Sequence, residues 1–177
     1  MANVKHLALL GQGTVTWNEW REKYPDIQPD LRKATLRGMS LKGVNFVGAD
    51  LREANLYEAN LSQAKLNRAN CNCADMRKAN LEMADLAEAI LISADLRQAN
   101  LSRSNLTLAN LKVAFLRRAN LQGADLTEAI FEETDLSLAQ LKGAKLCQDN
   151  LKTVNLTGVD LTDVDWIEST VSDRTIS

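Results

Sequence analysis

The sequence predicts an all-β solenoid, a four-sided parallel β-helix of about seven coils behind a short N-terminal helical cap. Three observations carry that expectation. Positions 31, 36, 41 and onward to 166 form 28 sites in unbroken phase, and 23 of them are Leu, the others being Phe46, Cys71, Met76, Phe131 and Trp166. Two places before the centres, from Ala34 to Val164, 19 of 27 residues are Ala. One place before each centre, 20 of 28 are Asn or Asp.

A period of five suits neither regular element. Five residues turn a helix by about 500°, which scatters the leucines around its surface. In a continuous strand an odd period sends alternate leucines to opposite faces. Within each five, however, the small residue and the Leu stand two apart, so both point inward from a short extended segment while the Asn or Asp between them points out. The next two residues, such as Arg52-Glu53 or Gln122-Gly123, turn a corner. Four such bends close a square coil, and coils stacked at roughly 4.8 Å bring Leu over Leu and Ala over Ala in a rod roughly 34 Å tall.

The segments ADLRE, ANLYE, ANLSQ, ADLAE, ANLQG and ADLTE carry a resemblance to the pentapeptide-repeat family, whose pattern is A(D/N)LXX. The resemblance covers about residues 29–168 and implies the family fold, a right-handed quadrilateral parallel β-helix. The handedness agrees with that of parallel strand crossovers in general.

A stack of coils exposes an apolar disc and unpaired backbone at its ends, so it requires caps. Residues 1–28 read as a helical N-terminal cap. In HLALLGQGTVTWNEWREKYPDIQPD, Gly11 and Gly13 separate two short helices, Thr16 is the expected N-cap of the second, and Pro25 and Pro29 end it. Leu9, Leu10, Trp17 and Trp20 supply the apolar faces. This segment is similar to one that precedes such repeats in cyanobacterial members of the family. At the far end Val154, Val159 and Val164 replace Ala, Trp166 is expected to lid the core, and residues 169–177 read as a polar C-terminal tail. Asp149, the one carboxylate at an inward small position, either reaches water where the chain relaxes near its end or is a buried acid. No insertion breaks the register, so no loop is expected to leave the repeat.

The outer surface can be read by adding 20. One wall carries the basic residues Arg37, Arg77, Lys78, Arg97, Arg117 and Arg118, interleaved with Asp75, Asp95 and Asp135, whose charges are expected to pair across rungs. Another aligns Asn60, Asn80, Asn100 and Asn120, as in stacked amide ladders. Where the pattern asks for Asn or Asp the chain has Ile90, Phe115 and Ile130, with Ile92 and Val113 close by. Together these five predict an exposed apolar patch of the kind that marks a contact surface.

Composition narrows the function. The net charge is −2, and the repeat region holds 17 basic against 19 acidic residues. Neither a nucleic-acid groove nor an acidic mimic is favoured by that balance. The apolar run Leu7 to Leu10 is too short for a secretory signal, and no stretch is long enough to span a membrane. Three Cys fit reduced thiols in a cytoplasmic setting. Cys71 points inward and Cys73 outward, so C-x-C is no metal pair, and His6 is the only His. No catalytic, cofactor or metal residues are expected. The reading is a non-enzymatic structural and protein-interaction module, its partner an unidentified protein or a second copy of itself. The family resemblance implies one rival, a DNA-mimicking binder of a type II topoisomerase such as gyrase; the mimics depend on a strongly negative rod, from which this chain departs.

Overall fold

The computed structural model describes residues 1–168, so the C-terminal tail expected at 169–177 lies outside the described residues. Helices α1 (Val4–Gly11) and α2 (Thr14–Lys23) precede the repeat. The repeat is a right-handed quadrilateral β-helix in which isolated parallel bridges join residues 20 apart, from Asp30↔Asp50 to Gln140↔Asp160. Its last described part holds β1 (Lys145–Cys147), a 3-10 helix (Gln148–Leu151) and β2 (Asp165–Ile167), with β1 and β2 parallel.

Backbone bonding explains why five residues suffice. In a typical repeat the N–H of Leu51 donates to Asn70 O at 2.7 Å and that of Glu53 to Asn72 O at 2.9 Å, both in the next coil. The N–H of Asn55 donates to Ala34 O at 2.9 Å in the previous coil, and that of Ala54 closes a β-turn onto Leu51 O at 3.0 Å. The turn needs a positive φ at its third residue, and Glu53 supplies it with φ 57°. Gly38, Gly43, Gly48 and Gly123 hold the same corner position without a Cβ penalty. Four N–H groups per repeat are thus satisfied by backbone. The fifth, at the residue after the Leu, is left to a side chain.

The core is the predicted double column of Leu and Ala, buried from Leu31 to Leu146. Two polar residues occupy Ala places and bond backbone instead of water: Ser104 Oγ donates to Leu101 O and Thr134 Oγ donates to Leu111 O, each at 2.7 Å. The helical pair covers the first coils. Trp17 is fully buried, meets Phe46 edge-on at 5.5 Å, and donates its indole N–H to Asn45 O at 2.8 Å. The guanidinium of Arg21, also buried, donates to the carbonyls of Ile27 and Val47. His6 packs on Trp20 and accepts the Asp30 N–H through Nδ1 at 2.9 Å.

Two expectations are corrected here, at Thr16 and Trp166, and the two readings left for Asp149 are resolved. Thr16 does not cap α2: the helix begins at Thr14 after Gly13, whose φ of 106° permits a sharp reversal between the helices, and no side chain bonds the first turn. Asp149 reaches water, as the first of its two readings had it: the 3-10 helix replaces the corner there and turns the carboxylate out to solvent, 3.6 Å from Lys152 Nζ. One ladder bond also shifts: the N–H of Gly143 donates to Asp163 O at 2.6 Å, one residue beyond the regular partner, while the 20-residue pairing continues at Gln140↔Asp160 and Lys145↔Asp165. Trp166 does not lid the core. It is 44% exposed, and Leu151, Leu156 and Leu161 of the last coil are only partly buried.

Candidate interaction surface

In most repeats the fifth N–H is served by the Asn or Asp two residues earlier, whereas Thr35, Ser40, Lys65 and Gln140 make no such bond among the described residues. Asn55 Oδ1 accepts the Tyr57 N–H at 3.1 Å, Asn80 that of Glu82 at 3.1 Å and Asp125 that of Thr127 at 3.1 Å. This is an Asx turn repeated up the rod, and it gives the outward Asn or Asp a structural reason beyond solubility. The expected amide ladder stands on the same residues: Asn100 Nδ2 donates to Asn80 Oδ1 at 3.1 Å and Asn120 Nδ2 to Asn100 Oδ1 at 3.2 Å.

At Ile90, Phe115 and Ile130 this arrangement fails. The backbone N–H groups of Ile92, Arg117 and Glu132 have no partner among the described residues. In place of a carboxylate or amide the surface has side chains that are 36%, 44% and 47% exposed at Ile90, Phe115 and Ile130 respectively. Ile90 and Ile130 bridge to Asn110 from either side, and Phe115 lies between Asp95 and Asp135 in the neighbouring column. Ile92 and Val113 are partly exposed. The sequence reading overlooked Leu108, exposed at the corner two residues before Asn110, and also Met83 and Leu138 at other corners. The available signal was an apolar residue where corners otherwise carry polar residues or Gly. Val113 is notable for its backbone. At φ 59° it is the one β-branched residue among the described non-glycine residues with positive φ.

The basic wall divides into paired and unpaired charges. Arg77 binds Asp75 through both Nε and Nη2, at 2.8 and 2.7 Å, and Arg97 binds Asp95 in the same manner. Arg77 also approaches Asp95 of the next coil at 3.6 Å, and Lys78 approaches Glu58 at 3.6 Å. Arg37 lies over the Tyr57 ring at 4.8 Å with Arg77 on the same ring at 5.3 Å, so the one Tyr of this wall is held by cations. Shallow clefts beside it are lined by Tyr57, Arg77, Lys78 and Arg97. Arg117 and Arg118 make no ion pair among the described residues.

The same pairing recurs on the adjoining face, where Asp30 holds Arg32 and Asp50 holds Arg52. Hydrogen bonds from these arginines hold Asp30 down at about 2 and Asp50 and Asp75 below the ordinary carboxylate range. Burial pushes the Cys71 thiol up to about 12, which suppresses its thiolate, while Cys73 is exposed. Among the described residues no three His, Cys, Asp or Glu side chains come together to hold a metal, and no helix is long and apolar enough to cross a membrane.

The model of the family described as pentapeptide repeats matches in overlapping segments, the first at residues 30–68 and the last at 134–165. No curated protein matches the chain. Among solved structures, alr5209, a pentapeptide repeat protein from Nostoc PCC 7120, is 31% identical with a TM-score of 0.50, over 58% of this chain and 82% of that one. HetL, a pentapeptide repeat protein involved in heterocyst differentiation regulation from the cyanobacterium Nostoc sp. strain PCC 7120, is 31% identical over 80% of this chain and 77% of that one, with a TM-score of 0.23. QnrB1, a plasmid-mediated fluoroquinolone resistance protein, is 21% identical over 71% of this chain and 76% of that one, with a TM-score of 0.51.

Proposed function

The chain belongs to the pentapeptide-repeat family, and from that premise we propose that it is a non-enzymatic interaction module whose rigid rod presents one surface to a protein partner. One observation carries this reading: among the positions where the repeat's Asn or Asp is replaced, Ile90, Phe115 and Ile130 are the ones that place an exposed apolar side chain on the rod, and they lie in neighbouring columns of adjacent coils. Each of these three replacements forgoes a turn hydrogen bond worth about 1 kcal/mol and sets apolar surface in water where the repeat elsewhere keeps a polar side chain. Among the described residues the Leu and Ala columns are buried from Leu31 to Leu146, which favours a surface over an internal cavity as the place of contact. We divide the chain into a cap at 1–28, the repeat at 29–168 and a tail at 169–177, and place the protein in the cytoplasm, where its free thiols stay reduced.

Affinity capture tests the module. The wild-type chain and an Ile92→Glu/Phe115→Glu variant would be used as baits in lysate of the cells that make the protein. A protein retained by the wild type and lost with the variant supports the reading; identical captures would move attention to Arg37 and the wall around Arg97. The gyrase-binding rival is not favoured, because the repeat region is nearly balanced in charge, at 17 basic and 19 acidic residues, where a DNA mimic needs an acidic rod.

A further inference from the structure

We propose that the surface around Phe115 docks an acidic and apolar segment of a protein partner, whose carboxylate takes the place on Arg117 that the repeat's own Asp holds elsewhere. This inference rests on the interaction-module reading and gives that module a surface and a partner chemistry.

Four repeats show what Arg117 lacks. In Asp30-Arg32, Asp50-Arg52, Asp75-Arg77 and Asp95-Arg97 the carboxylate takes the guanidinium by two parallel hydrogen bonds. The same Oδ1 accepts the arginine's own backbone N–H, at 3.2 to 3.3 Å. In AFLRR, residues 114–118, Phe115 stands where the Asp belongs. Both donors of Arg117, the guanidinium and the N–H, are therefore without the acceptor that their counterparts have. Asp135 in the next coil attracts Arg117, but its Oδ1 is already taken by the Ser137 N–H and by the Asn155 amide, the latter at 2.9 Å. Arg118 adds a second unpaired cation beside it.

A lone anion would satisfy those charges but not the surface next to them. Phe115 is exposed, and Val113 stands one corner away in a left-handed backbone conformation that a β-branched residue strongly disfavours. The turn imposes that conformation at Val113 as it does at the other corners, so the branched side chain is carried there at a conformational cost. An occupant that matches both parts carries carboxylates for Arg117 and Arg118 and an aromatic or branched aliphatic residue for Phe115 and Val113. Carboxylate–guanidinium pairs of this type are the strong, directional members of a polar contact. Within the fold, Asp135 has its Oδ1 taken and forms no ion pair with Arg117 among the described residues, and Glu132 pairs with Lys112 at 2.7 Å.

The test is selection of a display library of random peptides against the full-length chain, followed by affinity measurement on variants. Enriched peptides should combine carboxylates with an apolar residue. Their affinity should fall at least about tenfold with Phe115→Asp and with Arg117→Gln, and stay unchanged with Lys42→Gln on a different face. Phe115→Asp is the informative change, because it rebuilds the Asp-Leu-Arg pair of the sister repeats and should melt at or above the wild-type temperature; Arg117→Gln carries the test if it does not. Enrichment of neutral or basic peptides overturns the proposal. Acidic peptides that still bind Phe115→Asp overturn this surface while leaving the interaction module standing. A concentration-dependent dimer in sedimentation that Phe115→Asp dissolves assigns the surface to a second copy and overturns the partner segment. Absence of any binder, together with an empty lysate capture, overturns the module itself.

Discussion

Each Asn or Asp before a core leucine does more than face water. Its Oδ1 satisfies the one N–H that the coil-to-coil ladder leaves over, and in four repeats it also anchors an arginine. The alternation of inward and outward residues was legible in the sequence, as was the amide ladder. The Asx turn was not, since it depends on the backbone at the corner. Two predictions belong at this scale. Asp30, Asp50 and Asp75 have folded values below the roughly 3.9 of an unfolded Asp, so their stabilisation is complete above that pH and is lost as pH falls through the folded values. Thermal melts should hold from neutral pH to about pH 5 and drop between about pH 4 and pH 2, and replacing Arg32, Arg52 and Arg77 by Gln should shrink that drop. Val113→Gly should stabilise the chain by about 1 kcal/mol in urea unfolding, because the left-handed corner then carries no β-branched side chain.

At the scale of elements, the N-terminal helices and the last coil close the rod in different ways. Trp17, Arg21 and His6 tie α1 and α2 to carbonyls and an N–H of the first coils, which lets two short helices of ordinary propensity hold their place. The apolar faces at Leu10 and Trp17 were readable from sequence; the bonds of Arg21 and His6 were not, because neither residue type signals burial. Trp17→Ala should cost about 3–5 kcal/mol in urea unfolding, with the loss of both the Phe46 contact and the indole bond. Removing residues 1–28 should uncover the first coil and give self-associated material in size-exclusion chromatography. At the other end, Asp149 broke the inward pattern in the sequence, and the chain answers it with a 3-10 turn that delivers the carboxylate to water, since an unpaired buried charge is far more costly than a changed corner.

Over the whole molecule, stability should follow position in the stack. Leu96 is fully buried between neighbouring coils, whereas Leu156 of the last described coil is only partly so. Leu96→Ala should therefore cost about 2–5 kcal/mol and Leu156→Ala distinctly less, and amide exchange should be fastest in residues 151–165. Leu96→Asp should abolish cooperative folding, read by circular dichroism. The repeat, its walls and the inward core were determined by the sequence alone, because a period of five with small and large apolar residues two apart admits only a coil that turns at every fifth residue. Only the tertiary structure decided which surface charges are free. Arg77, Arg97 and Arg117 read as equals along one wall, and whether each keeps its charge for a partner depends on a carboxylate two residues back whose side chain curls over the corner. It is the Asx turn, in which the carboxylate folds back onto the arginine's own N–H, that brings the two side chains together, and its loss at Phe115 leaves the arginine open.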